Sequence, residues 1–105
     1  MAKEKWEESQ DLTARVYEGT VTPASGSGDS LLDVVAGGKY KGYRIENKFT
    51  ESASFSISKK LIKKARLQAA SMGTFYFFVI EIEDKPRNIR MVCMEEHFFT
   101  SIFGE

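Results

Sequence analysis

Three side chains stand out by type and spacing: Asp33, Glu46 and Lys48. Asp33 interrupts an apolar run, Leu31-Leu32-Asp33-Val34-Val35-Ala36. An unpaired carboxylate in such a strand is costly or gives up its charge, so Asp33 calls for a partner. The segment Gly37-Gly38-Lys39-Tyr40-Lys41-Gly42 is turn chemistry, and Tyr43-Arg44-Ile45-Glu46-Asn47-Lys48-Phe49 follows with strict alternation. A hairpin that sets Ala36 against Tyr43 puts Asp33 directly opposite Glu46. Their side chains then share a face, with Cβ atoms about 5 Å apart. Lys48 projects to that same face, and Ile45, Asn47 and Phe49 to the other. A slip of one residue would scatter the group. Two carboxylates so close repel unless a cation lies between them. Mg2+ suits them, being a hard ion held through one or two carboxylates and otherwise by water. Bound there it would acidify a water and offset charge on a phosphoryl oxygen, with Lys48 orienting that water or stabilising negative charge. A plain salt bridge of Lys48 with Asp33 or Glu46 satisfies the same spacing.

The elements around this hairpin follow from periodicity and punctuation. About Glu4 to Glu18 reads as a helix with Leu12, Val16 and Glu8 on one face, stopped by Gly19 in a left-handed cap. Thr20-Val21-Thr22-Pro23 leads into a small, polar stretch, Ala24 to Ser30, long enough for a working loop. A second helix spans about Ser58 to Met72 and closes at Gly73. Its buried stripe is Leu61, Ala65, Ala69 and Met72, and its remaining faces carry Lys59, Lys60, Lys63, Lys64 and Arg66. Thr74 to Ile82 is apolar on both faces and predicts a strand covered on two sides. Asp84-Lys85-Pro86-Arg87 turns the chain, Ile89 to Met94 forms another strand, and about Glu95 to Phe103 a terminal helix. These elements predict one mixed α/β domain over residues 1–105, a central mixed sheet flanked by helices in the order α-β-β-β-α-β-β-α.

The formal charge is zero, with 15 Lys+Arg against 15 Asp+Glu, which at face value speaks against a nucleic-acid partner. The distribution says otherwise. Residues 39–66 hold nine basic and two acidic residues, while the flanking segments are net acidic. A solvated helix exterior would also carry such lysines. One cysteine in 105 residues excludes an intramolecular disulfide, and the charged N-terminus lacks the apolar run of a signal peptide. No apolar stretch is long enough to span a membrane. A cytoplasmic protein without membrane contact or organic cofactor is expected.

Asp33, twelve intervening residues, and Glu46-Asn47-Lys48 resemble the PD-(D/E)XK nuclease motif on its hairpin. Pro23-Ala24-Ser25-Gly26-Ser27-Gly28 followed by Leu32-Asp33-Val34-Val35-Ala36 is similar to the archaeal-type Holliday-junction resolvases and related small phage enzymes. The basic helix and the apolar strand after it continue the likeness over about residues 6 to 94. The resemblance implies a restriction-endonuclease-like fold and a Mg2+-dependent endodeoxyribonuclease, with Mn2+ as a substitute. Asp33, Glu46 and the backbone carbonyl of Asn47 would be metal ligands and Lys48 the catalytic lysine. A Glu of the first helix would complete the shell; Glu8 is the choice, with Glu7 and Asp11 as alternatives. Ser25 matches the loop serine near substrate phosphate, or is an ordinary turn residue. Ser25, Ser27, Lys39, Lys41, Arg44, Lys59, Lys60, Lys63, Lys64 and Arg66 would line the surface for branched or duplex DNA. A homodimer is expected, because a two-fold junction must be nicked on two opposing strands. Two departures stand out: Leu32 replaces the proline of the motif's name, and Asn47 replaces a usual apolar residue on the face expected to be buried. Other readings are a nuclease of the same fold acting on flaps, nicks, mismatches or specific duplex sites, and a non-catalytic DNA-binding subunit.

Phe98, Phe99, Ile102 and Phe103 either finish the core or form a subunit interface. Cys93 reads as a small core residue, Trp6 as a cap on the core, and His97 as a packed or surface ring.

Overall fold

The computed structural model describes residues 3–22 and 33–103. In chain order the elements are α1 (Lys5–Val16), β1 (Thr20–Val21), β2 (Val34–Val35), a 3-10 turn (Gly38–Tyr40), β3 (Tyr43–Thr50), α2 (Lys59–Ser71), β4 (Phe75–Ile82), β5 (Ile89–Cys93) and α3 (Glu96–Ile102). The expected order of helices and strands is the one observed. α1 starts on a capping box in which the Glu4 N–H donates to Glu7 Oε1 at 2.9 Å. α2 starts at Ser58, whose Oγ accepts from the Leu61 N–H at 3.1 Å. Gly73, at φ +68°, closes the turn after α2 in a conformation that glycine adopts without strain.

The five strands lie in sequence order, β1-β2-β3-β4-β5. All neighbouring pairs are antiparallel except β3 and β4, which run parallel with α2 as their crossover. α1 packs on one face of the sheet over Val34, Ala36, Ile45, Phe77 and Val79, contributing Ala14. On the other face, α2 packs Ala65 and Ala69 over Tyr76, Phe78 and Ile80. β4 is therefore buried on both faces, as its unbroken apolar run requires.

Four local expectations are corrected. The buried face of α1 is Ser9, Gln10, Thr13 and Ala14, whereas Val16 and Glu8 are exposed. The polar residues go inward because the strands beneath offer polar partners, and the small Ala14 lets the helix approach. Gly19 is not the left-handed stop; Glu18 holds that conformation, with φ 54°. Gly19 serves close approach instead, since a Cβ there would lie 2.1 Å from the Val35 carbonyl oxygen. Cys93 is exposed because β5 is an edge strand. Trp6, 44% exposed, does not cap the core. At the C-terminal end Phe98 packs edge-on to Phe75 and Tyr76, while Phe99, Ile102 and Phe103 remain exposed.

Candidate active site

β2 pairs with β3 through Val34↔Ile45 and Val35↔Arg44, and the Ala36 N–H donates to the Tyr43 carbonyl at 3.0 Å. Continued by one residue, this register sets Asp33 opposite Glu46, as the turn chemistry implied. Ala36–Tyr43 is a hydrogen-bonded pair, so Val34–Ile45 is the next one. Asp33–Glu46 therefore occupies the narrow position between, where opposed side chains come closest. Val34 and Ile45 enter the α1-side core, and alternation turns Asp33, Glu46 and Lys48 to the α2 side.

Asp33 is 6% exposed. Its Oδ2 accepts the backbone N–H of Asn47 at 2.8 Å. Burial, and next the charge of Glu46, push its carboxyl up to about 6, against the Asn47 N–H and the cations Lys48 and Lys64. Lys48 Nζ instead lies 2.8 Å from Glu46 Oε2. Half of the salt-bridge reading is thus present, for Glu46. Among the described residues no ion pair reaches Asp33.

Asn47 has two faces. Its backbone N–H points towards β2, and the N–H and C=O of one strand residue point to the same side, so its carbonyl is directed there too. The side chain enters the opposite face, where Nδ2 donates to Ser9 Oγ at 2.9 Å and Oδ1 accepts from Thr13 Oγ1. The network continues from Ser9 Oγ to Glu81 Oε1 at 2.7 Å. Arg90 donates from Nη1 to Glu81 Oε1 and from Nη2 to Thr13 Oγ1, each at 2.6 Å. Burial opposes the charge on Glu81, but Asn88, Ser9 and Arg90 together hold its carboxyl below the usual range. The face expected to be dry is polar and satisfied, which accounts for the amide at position 47. The sequence signals for it were the acid ending the apolar β4 run and Arg90 opposite it in β5.

The remaining candidates are spread out. Glu8 is exposed, beside a groove with Lys5, Asp11, Arg15, Phe49 and Glu81, and is not gathered with Asp33 and Glu46. Asp11 lines that groove too and pairs with Lys3; Glu7 belongs to the capping box of α1. Ser25 and Ser27 lie outside the described residues. Lys39 and Lys41 are exposed at the hairpin turn, with Lys39 Nζ 5.5 Å from the Tyr40 ring centroid. Lys59, Lys60, Lys63 and Lys64 are exposed along α2, and Lys64 is near enough to Asp33 to act on its charge. Arg66 is engaged in the fold, donating to Glu95 from Nε at 2.7 Å and Nη2 at 2.8 Å.

Two carboxylates, one of them buried and with no cation bonded to it among the described residues, and a backbone carbonyl directed beside them are hard oxygen donors of the kind Mg2+ takes. Among the described residues no group of three or more His, Cys, Asp or Glu gathers. A cation here would complete its shell with water or substrate oxygens.

A five-stranded mixed sheet with a helix crossover between its parallel strands, flanked by helices on both faces, defines a mixed α/β architecture. A solved structure similar to it is that of Archaeoglobus fulgidus Hjc, a Holliday junction resolvase from an archaeal hyperthermophile. The TM-score is 0.62 and the identity 19%, with 84% of this chain and 73% of that one covered. At that identity the likeness is one of fold. No protein-family model and no curated protein matches the sequence. No described helix is long and apolar enough to cross a membrane.

Proposed function

We propose that this chain is a metal-dependent, structure-selective DNA endonuclease, a Holliday-junction resolvase in its most specific form. The observation that carries the reading is Asp33: a buried carboxylate opposite a second one, with no ion pair among the described residues. A structural salt bridge accounts for Glu46 and Lys48 but leaves Asp33 at a cost. A divalent cation removes that cost, with Asp33, Glu46 and the Asn47 carbonyl as its protein ligands. When bound it supplies an acidified water and charge neutralisation at phosphorus. The Asn47 N–H fixes the Asp33 carboxylate, leaving its second oxygen for the cation. Lys48, held by Glu46, orients the attacking water or steadies negative charge on the phosphodiester. Lys39, Lys41 and the α2 lysines attract the backbone without reading bases.

The fold shared with a resolvase supports the subclass, and a homodimer belongs to it. Ile89, Met91 and Val92 on the edge strand and Phe99, Ile102 and Phe103 on α3 are exposed apolar side chains suited to a subunit interface. Four-way, flapped, nicked, linear and single-stranded DNA offered with and without Mg2+ test the reading. Metal-dependent cleavage confined to the four-way junction is expected. Equal cleavage of linear duplex would remove the subclass, and no cleavage of any substrate would remove the nuclease.

A further inference from the structure

Among the described residues the buried side-chain polar atoms lacking a hydrogen-bond partner are Thr22 Oγ1, Arg44 Nε and Arg44 Nη1. The sheet register sets both residues on one face. Val21 pairs with Val34, and the Thr22 N–H donates to the Asp33 carbonyl at 2.7 Å, so Thr22 lies opposite Asp33. Opposed residues of an antiparallel pair share a face, so Thr22, Asp33 and Glu46 form a row across three strands about 5 Å apart. Arg44 precedes Glu46 by two residues, which puts it on that face as well, between Val35 and Tyr76 of the neighbouring strands. The polar network on the α1 side, by contrast, is paired throughout.

Buried donors without acceptors are costly and are uncommon in folded chains. A guanidinium cannot shed its proton, so Arg44 keeps two unpartnered nitrogens on the sheet face that carries the carboxylate pair. Glu46, the nearest acid along the strand, is turned to Lys48 and makes no ion pair with Arg44. An anion entering with the substrate would supply the missing acceptor, and a planar guanidinium matches phosphate oxygens.

We propose that Arg44 and Thr22 are the substrate-phosphate contacts of this site, holding non-bridging oxygens of the DNA backbone on either side of the Asp33–Glu46 pair. The proposal rests on the nuclease reading and adds to it the residues that place the backbone. Arg44 thereby differs from Lys39 and Lys41 at the hairpin turn, which attract DNA from the exposed surface. Thr22 carries no signal in the sequence, because its position depends on the pairing of β1 with β2.

The test is made on the full chain without metal, so binding is read apart from cleavage. Fluorescence anisotropy measures affinity for a labelled four-way junction, and the 15N-labelled Arg44 Nε–Hε resonance, assigned by its loss in Arg44→Lys, is followed as DNA is added. The resonance is expected to shift on binding. Arg44→Met should weaken binding by about tenfold or more, with Arg44→Lys recovering part of the loss. Thr22→Val should weaken it about threefold while melting at or above the wild-type temperature, since it removes an unpaired hydroxyl. Loss of both stability and affinity in Thr22→Val would mean a structural role and would overturn its part. An unmoved Arg44 resonance in a chain that binds DNA would overturn the whole. An Arg44 response to DNA in a chain that cleaves no substrate with Mg2+ would uphold the contact and sink the nuclease reading instead.

Discussion

The backbone N–H of Asn47 donates to Asp33 Oδ2 at 2.8 Å, joining the centre of β3 to a buried carboxylate at the start of β2. The bond fixes where one acid points without neutralising it. Asp33 consequently carries an electrostatic cost, from burial and from Glu46, that a cation would relieve.

Replacing Asp33 by Asn keeps an acceptor for the Asn47 N–H and removes the charge. In EDTA at neutral pH, Asp33→Asn should be more stable than wild type by about 1 kcal/mol, a rise of about 4–8 °C in melting temperature. With Mg2+ it should lose cleavage by at least about a hundredfold. Calorimetry and a nicking assay on the same preparation check both. A variant less stable than wild type in EDTA would contradict the description of the site.

Asn47 links β3 to α1 through Ser9 and Thr13. Asn47→Leu supplies the apolar residue usual at this position in the resembled family, yet should destabilise the chain by about 1–3 kcal/mol, because it strips partners from buried hydroxyls. Urea unfolding measures it. An unchanged midpoint would mean that the network contributes nothing.

Glu95, preceding α3, accepts from Arg66 and Tyr76, and these bonds hold its carboxyl down to about 2 from an ordinary 4.5. A folded pKa below the unfolded one gives stability that is present above about 4.5 and lost as pH falls towards 2. The melting temperature of wild type should drop across that window, and Glu95→Gln, lower at neutral pH, should show a shallower drop. Parallel pH profiles would show that Glu95 does not titrate with folding.

Met91 and Phe103 are exposed at 56% and 68% on β5 and just after α3. The double variant Met91→Lys, Phe103→Glu should sediment as a monomer at micromolar concentration, with wild type a dimer. A monomeric wild type would end the dimer proposal.

The hairpin was legible in the sequence because its determinants are local: turn residues at 37–42 and alternation on either side fix the register that brings Asp33 to Glu46. The strands and helices were legible for the same reason. The inner face of α1 was not, since Leu12 and Val16 suggest a dry contact. The partners that turn Ser9 and Thr13 inward, Asn47, Glu81 and Arg90, lie between 34 and 77 residues away. Glu8 shares the face of Leu12 and Val16 by spacing, and is exposed for the same reason. Asn47 was the visible clue, an amide where a hydrophobe was expected. Cys93 was misread because an apolar strand does not announce whether it is an edge.

The most direct measurement labels each arm strand of a synthetic four-way junction in turn and maps the nicks made in Mg2+. The expected result is a pair of nicks at symmetry-related positions on two opposing strands, absent without metal and absent in Asp33→Asn. Nicking that is asymmetric, metal-independent or retained by Asp33→Asn would contradict a resolvase built on the Asp33–Glu46 site.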